Sequence, residues 1–153
     1  MQKINKIISA KLCRLLSFLH KANKEFEKIA QKIKDKNIKM SIRGIILEIE
    51  QYKRELNSQL QSLRVKEIKS IDIMAPVNTE EVLTNNHPNN KITTDKEILE
   101  LCCKSEENFE KAYRNVLNEY FALHTLREML IYQLNEIKCA FMQLKLLRSA
   151  QWF

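Results

Sequence analysis

Glycine and proline are nearly missing from this chain: 153 residues contain one glycine and two prolines. Turn-rich β architectures and glycine-cradled phosphate loops depend on positive-φ positions, so sandwiches, barrels and nucleotide-binding loops are poor readings. Long apolar runs are missing too. None reaches the roughly 20 residues that a membrane-spanning helix requires. The basic, apolar start MQKINKIISAKLCRLLSFLHKANKEF is interrupted by Lys11 and Arg14. A secretory signal needs an unbroken apolar centre, so the segment is read as a mature helix and the protein as cytoplasmic.

Signatures of chemistry are equally scarce. Cys13, Cys102, Cys103 and Cys139 form no C-x-x-C pair, which favours reduced, largely buried thiols over a zinc or redox centre. No G-x-S-x-G elbow and no H-E-x-x-H segment is present, and a lone Ser, Cys or His without a partner defines no nucleophile.

What remains is helix. Hydrophobic residues make up 44% and charged residues 29%, enough for one domain with a core and a hydrated surface. Ile4, Ile7, Ile8, Leu12, Leu15, Leu19, Ala22, Phe26, Ile29 and Ile33 recur at helical spacing, and Asp35 to Asn37 close the pattern. Ser41 is one start for a second helix and Ile38 an earlier one. That helix carries Ile42, Ile45, Ile49, Tyr52, Leu56, Leu60 and Leu63, with a continuation through Ile68 and Ile71 before Pro76. Gly44 falls in its first turn, where a missing side chain permits close packing. The stretch 76–94 holds both prolines and an asparagine cluster and reads as a linker. Thr94 with Glu97 matches a capping box.

A third helix follows with Ile98, Leu101, Cys102, Phe109, Ala112, Tyr113, Val116 and Leu117. After a short joint at Asn118 to Ala122 comes a fourth, with Leu123, Leu126, Leu130, Leu134, Ile137, Phe141, Leu144 and Leu147. KANKEFEKIA at 21–30 aligns with KSEENFEKAY at 104–113, pairing Phe26 with Phe109, and Glu55 falls on Glu136 at an offset of 81. The expectation is an all-α, four-helix bundle of two related hairpins, 3–73 and 95–149, joined by a crossover linker at 76–94.

The segments ILELCCKSEENFEKAYRNVLN and LREMLIYQLNEIKCAFMQL resemble an uncharacterised bacterial family of ferritin-like four-helix bundles. Its members carry two degenerate helical hairpins and are catalogued as a domain of unknown function. The likeness covers most of residues 4–148 and is clearest at Leu101 to Tyr113 and Gln133 to Leu144. It implies an up-down pair, a crossover, a second pair and self-association. It brings no catalytic residues.

A di-iron site of the ferritin type places Glu-x-x-His pairs on two helices. Here Ser17, Thr84 and Phe121 stand three residues before His20, His87 and His124, so no such pair exists. A carboxylate-only metal site has Glu55, Glu136, Glu107 and Glu110 as its weak candidates, since each lies beside a core position and reads better as a solvated or salt-bridge residue at the core's edge. No cofactor is implied. Residues 1–70 hold 17 basic and 7 acidic side chains, whereas 71–153 hold 9 and 12. Lys24, Lys28, Lys32, Lys36 and Lys39 form a basic row that could meet phosphates, yet without interleaved aromatics a solvated face explains it as well. Tyr120, Tyr132 and Trp152 are the candidate interface residues. The sequence therefore favours a structural or protein-interaction module without catalytic activity, self-associated as a dimer or bound to another protein. Its rivals are a divergent carboxylate metal-binding protein and a basic-face nucleic-acid binder.

Overall fold

A computed structural model describes the backbone of residues 2–63, 94–119 and 123–151, with side chains between Lys6 and Ala150. All regular structure among the described residues is helical: α1 Gln2–Lys32, α2 Lys36–Leu63, α3 Asp95–Lys104, α4 Glu106–Leu117 and α5 His124–Gln151. The linker at 76–94 lies outside the described residues except for Thr94, as do Ile68 and Ile71.

Helix α1 forms because one line, Ile8, Leu12, Leu15, Leu19, Ala22, Phe26, Ile29 and Ile33, alternates steps of four and three and is buried throughout. Ile7, expected in that line, is 46% exposed, since Ile8 beside it takes the core position. Only Ile33 to Asp35 separate α1 from α2. The Asp35 carboxylate accepts the backbone N–H groups of Asn37 at 2.8 Å and Ile38 at 3.0 Å. It thus caps α2, which begins ahead of both Ser41 and Ile38. Gly44 is accordingly beyond the first turn and faces outward, and a Cβ there would meet nothing within 4 Å. Close packing is not its role.

The third helix of the sequence reading is two segments. Thr94 caps α3 with the anticipated reciprocal pair, its hydroxyl accepting from the Glu97 N–H at 3.1 Å while the Glu97 carboxylate accepts from the Thr94 N–H at 3.1 Å. Fully buried Ser105 then divides α3 from α4, its hydroxyl donating to the Cys102 carbonyl at 2.7 Å. Such back-bonding competes with the regular helical ladder and loosens it locally.

The principal contacts are α1 with α2 and α4, and α5 with α2, α3 and α4. Four helical columns, with α3–α4 counted as one, therefore pack as a bundle. End contacts give the directions. Beside the start of α3, the backbone N–H groups of Lys34 and Asp35 donate to the Asp95 carboxylate at 3.0 and 2.8 Å. At the opposite end, Lys11 of α1 reaches the Asn115 carbonyl and Glu119, each at 3.1 Å, and Arg127 of α5 donates to the Leu117 carbonyl at 2.9 Å. Helices α1 and α5 run one way, and α2 and α3–α4 the other. Every principal contact between columns is antiparallel, and Leu63 and Thr94 stand at opposite ends.

Four phenyl rings close the centre. Phe109 contacts Phe18 and Phe141 edge-on, at centroid separations of 5.1 and 5.4 Å, and lies 6.1 Å from Phe26. The repeat-related pair, Phe26 and Phe109, thus meets inside the bundle. Phe18, Ala30, Ile38, Ile46 and Leu99 join the buried set beyond the sequence expectation.

Candidate functional site

One turn beyond Phe109 along α4, the interior turns polar. The Tyr113 hydroxyl donates to Gln133 Oε1 at 2.7 Å, and Gln133 Nε2 donates to Glu55 Oε1 at 2.8 Å. Gln51 Nε2 completes the chain by donating to Glu55 Oε2 at 2.9 Å. Tyr113 and Gln133 are both inaccessible to solvent, whereas Glu55 is half-buried. The chain links α4, α5 and α2 by polar groups whose donors and acceptors match in sequence.

Beside it, the buried Tyr52 donates to Glu48 Oε1 at 2.6 Å. Burial, followed by the Glu48 hydrogen bond, pushes the Tyr52 phenol far above its ordinary value; Glu136 adds a smaller electrostatic push. Burial and then the Glu55 charge raise Tyr113 in the same direction. Both phenols therefore stay protonated and act as donors. A second polar contact joins α1 to α2: Asn23 Nδ2 donates to Glu50 Oε2. Lys53 lies 3.8 Å from Glu50 and 3.2 Å from His20 Nδ1. Burial first, and then Lys53 and Lys24, lower the His20 pKa.

Of the four carboxylates considered as ligands, Glu55 and Glu136 flank the α2–α5 contact, and Glu55 is engaged by two amides. Glu107 is exposed. Glu110 turns towards the outer edge of α4 and α5, 3.0 Å from Arg114 and 3.4 Å from Lys138. Those partners, Arg114 foremost, hold its carboxyl below the usual range. The structure does not bring the four together, and among the described residues no group of three His, Cys, Asp or Glu could hold a metal ion. Tyr113 and Gln133 occupy the inner positions of α4 and α5, and a phenol protonated at neutral pH and an amide are weak partners for a cation compared with carboxylates.

Cys102 and Cys103 are buried, Cys13 is half-buried and Cys139 is exposed. Burial raises the pKa of both Cys102 and Cys103, which makes them poor nucleophiles. The basic row is divided by the α1–α2 turn: Lys24, Lys28 and Lys32 lie exposed on α1, whereas Lys36 is exposed and Lys39 half-buried on α2. Tyr132 is exposed; Tyr120 and Trp152 lie outside the described residues. No described helix is long and apolar enough to cross a membrane.

Sequence reasoning passed over Gln133 and Asn23. The signal for Gln133 was available, because it falls on the line Leu126, Leu130, Ile137 and Phe141, where a lone amide requires a buried partner. Asn23 offers no comparable signal, since it lies just beside the apolar line of α1.

No protein-family model, curated protein or solved structure matches the chain. No such match supports the resemblance to the bacterial bundle family, and what the structure shows is an all-α, four-helix bundle.

Proposed function

We propose that this chain is a ferritin-like bundle of two related hairpins, spanning 3–73 and 95–149 with a crossover at 76–94, that serves as a non-catalytic structural or protein-interaction module. The antiparallel neighbours and the opposite-end placement of Leu63 and Thr94 support that topology. One observation carries the functional part. The interior is closed by Phe18, Phe26, Phe109 and Phe141 and by the Tyr113–Gln133–Glu55 chain, so the polar groups of that chain are spent on one another.

An affinity-tagged pull-down from the native host at moderate ionic strength, read by mass spectrometry against a mock control, tests this reading. A stoichiometric protein partner, or a self-associated chain, is the expected result. Metal recovered in stoichiometric amount with the purified chain would replace it with the carboxylate metal-binding reading. A second reading, binding of nucleic acid, is favoured by the exposed line Lys24, Lys28 and Lys32. It requires affinity for duplex or single-stranded nucleic acid that falls steeply with salt, measured by fluorescence anisotropy.

A further inference from the structure

Helix α3 is built as a separable piece of the bundle. It has 10 residues, fewer than the roughly 12–15 that a helix needs to persist alone, so it keeps its shape only while attached. Its start carries a complete cap of its own, Thr94 with Glu97. Its end is marked off from α4 at Ser105. In an unbroken helix the Cys102 carbonyl would accept the N–H of Glu106, four residues on. Here that carbonyl takes the Ser105 N–H at 3.0 Å and the Ser105 hydroxyl at 2.7 Å. One position thus carries the interruption of the ladder.

Attachment is uneven along α3. Its principal contacts are with α5 and α4, and there it buries Ile98, Leu99, Cys102 and Cys103. Glu100 faces Arg148 of α5 at 3.8 Å. At the end away from Ser105, polar bonds reach the first hairpin. Asp95 Oδ1 accepts the Lys34 N–H at 3.0 Å, while Oδ2 accepts the N–H groups of Asp35 at 2.8 Å and Lys34 at 3.2 Å. Both carboxylate oxygens are therefore engaged by the α1–α2 turn, through charge-assisted bonds stronger than neutral ones. The Lys34 bonds are exposed, so water stands ready to replace them.

We propose that Asp95 is a latch and Ser105 a hinge, so that α3 opens as a unit while the other helices stay packed, uncovering Cys102 and Cys103. Units held by few ties open at a lower free energy than the whole fold. The tie at the free end is a single carboxylate, and the other end is the place where the helical ladder is already broken. Opening changes the chemistry of the thiols. In the closed form Cys102 and Cys103 are buried and Cys139 is exposed, and thiols shut away from water in apolar surroundings are inert. The latch makes the buried pair reactive only in the open form.

Hydrogen exchange of the full chain, read by mass spectrometry alongside alkylation of each cysteine with N-ethylmaleimide, tests the device. In the wild type, residues 95–104 are expected to exchange faster than the cores of α2 and α5, with Cys102 and Cys103 alkylated in step. Asp95→Ala is expected to speed both readouts by at least roughly tenfold and to leave exchange in α2 and α5 unchanged. Thr94→Ala removes the cap but keeps the carboxylate on the turn, and is expected to speed them less. Ser105→Ala frees the Cys102 carbonyl for the regular ladder, and is expected to slow both.

Acceleration by Asp95→Ala that is uniform over all helices, or absent, overturns the latch. Equal acceleration by Thr94→Ala places the hold in the cap and overturns it as well. A wild type in which residues 95–104 exchange no faster than α2 and α5, or a Ser105→Ala chain that opens as fast as the wild type, overturns the hinge. Those last two measurements decide the hinge even if Asp95→Ala fails to fold.

Discussion

Two neighbouring layers of the bundle interior are built on opposite principles. The phenyl layer, Phe18, Phe26, Phe109 and Phe141, is held by shape and by edge-to-face ring contacts. The layer one turn along α4, with Tyr113, Gln133 and Glu55, is held by direction, since each donor has one acceptor on a particular helix. Apolar packing makes the bundle stable but accepts many rearrangements of similar volume. A buried donor left without its acceptor penalises every other arrangement. The difference teaches that the phenyl layer contributes burial and packing, whereas the polar layer favours the one arrangement in which α4, α5 and α2 lie side by side.

Removing a ring from the first layer should have the largest effect. Phe109 touches three other rings, and Phe109→Ala is expected to cost about 3–5 kcal/mol, read from urea denaturation. Gln133→Leu should cost about 1–3 kcal/mol, because it keeps the volume yet strands the Tyr113 hydroxyl. Adding Tyr113→Phe should recover part of that loss, and a double variant less stable than Gln133→Leu alone would show that the hydrogen bond is not the determinant.

The layers should also separate by pH. Tyr52 and Tyr113 have raised pKa values in the fold. Their stabilising contribution is thus fully present below the ordinary tyrosine value of about 10 and is lost as pH rises above it, when the unfolded chain ionises and the folded one does not. Thermal melts at rising alkaline pH should fall more steeply for the wild type than for Tyr113→Phe. The smallest effect is a baseline outside both layers: Gly44→Ala, on an open helical surface, should stabilise by about 0.5–1 kcal/mol in the same denaturation experiment.

The phenyl layer was largely legible in the sequence. Phe26 and Phe109 coincide in the internal repeat, Phe141 sits on the apolar line of α5, and steps of three and four residues suffice to place such side chains inward. Phe18 was missed because Leu15 and Leu19 already filled the line of α1. The polar layer was only half legible. Glu55 and Glu136 stood out through the repeat, but Gln133, the amide that donates to Glu55, lies 78 residues away, and periodicity carries no information about which helices meet. The break at Ser105 escaped for a related reason, since a serine inside an unbroken apolar period looks like one helix.

Composition, spacing and caps by themselves determined that this chain is helical, which lines face inward, and that Thr94 begins a helix. These follow from near-neighbour forces: backbone propensity, the 3.6-residue period and side chains that reach three residues. Only the tertiary structure decided that Asp95 ties the α1–α2 turn to the start of α3 and that Gln133 joins Tyr113 to Glu55. An amphipathic line records a need for burial, and what buries it is settled when distant helices compete for the same core.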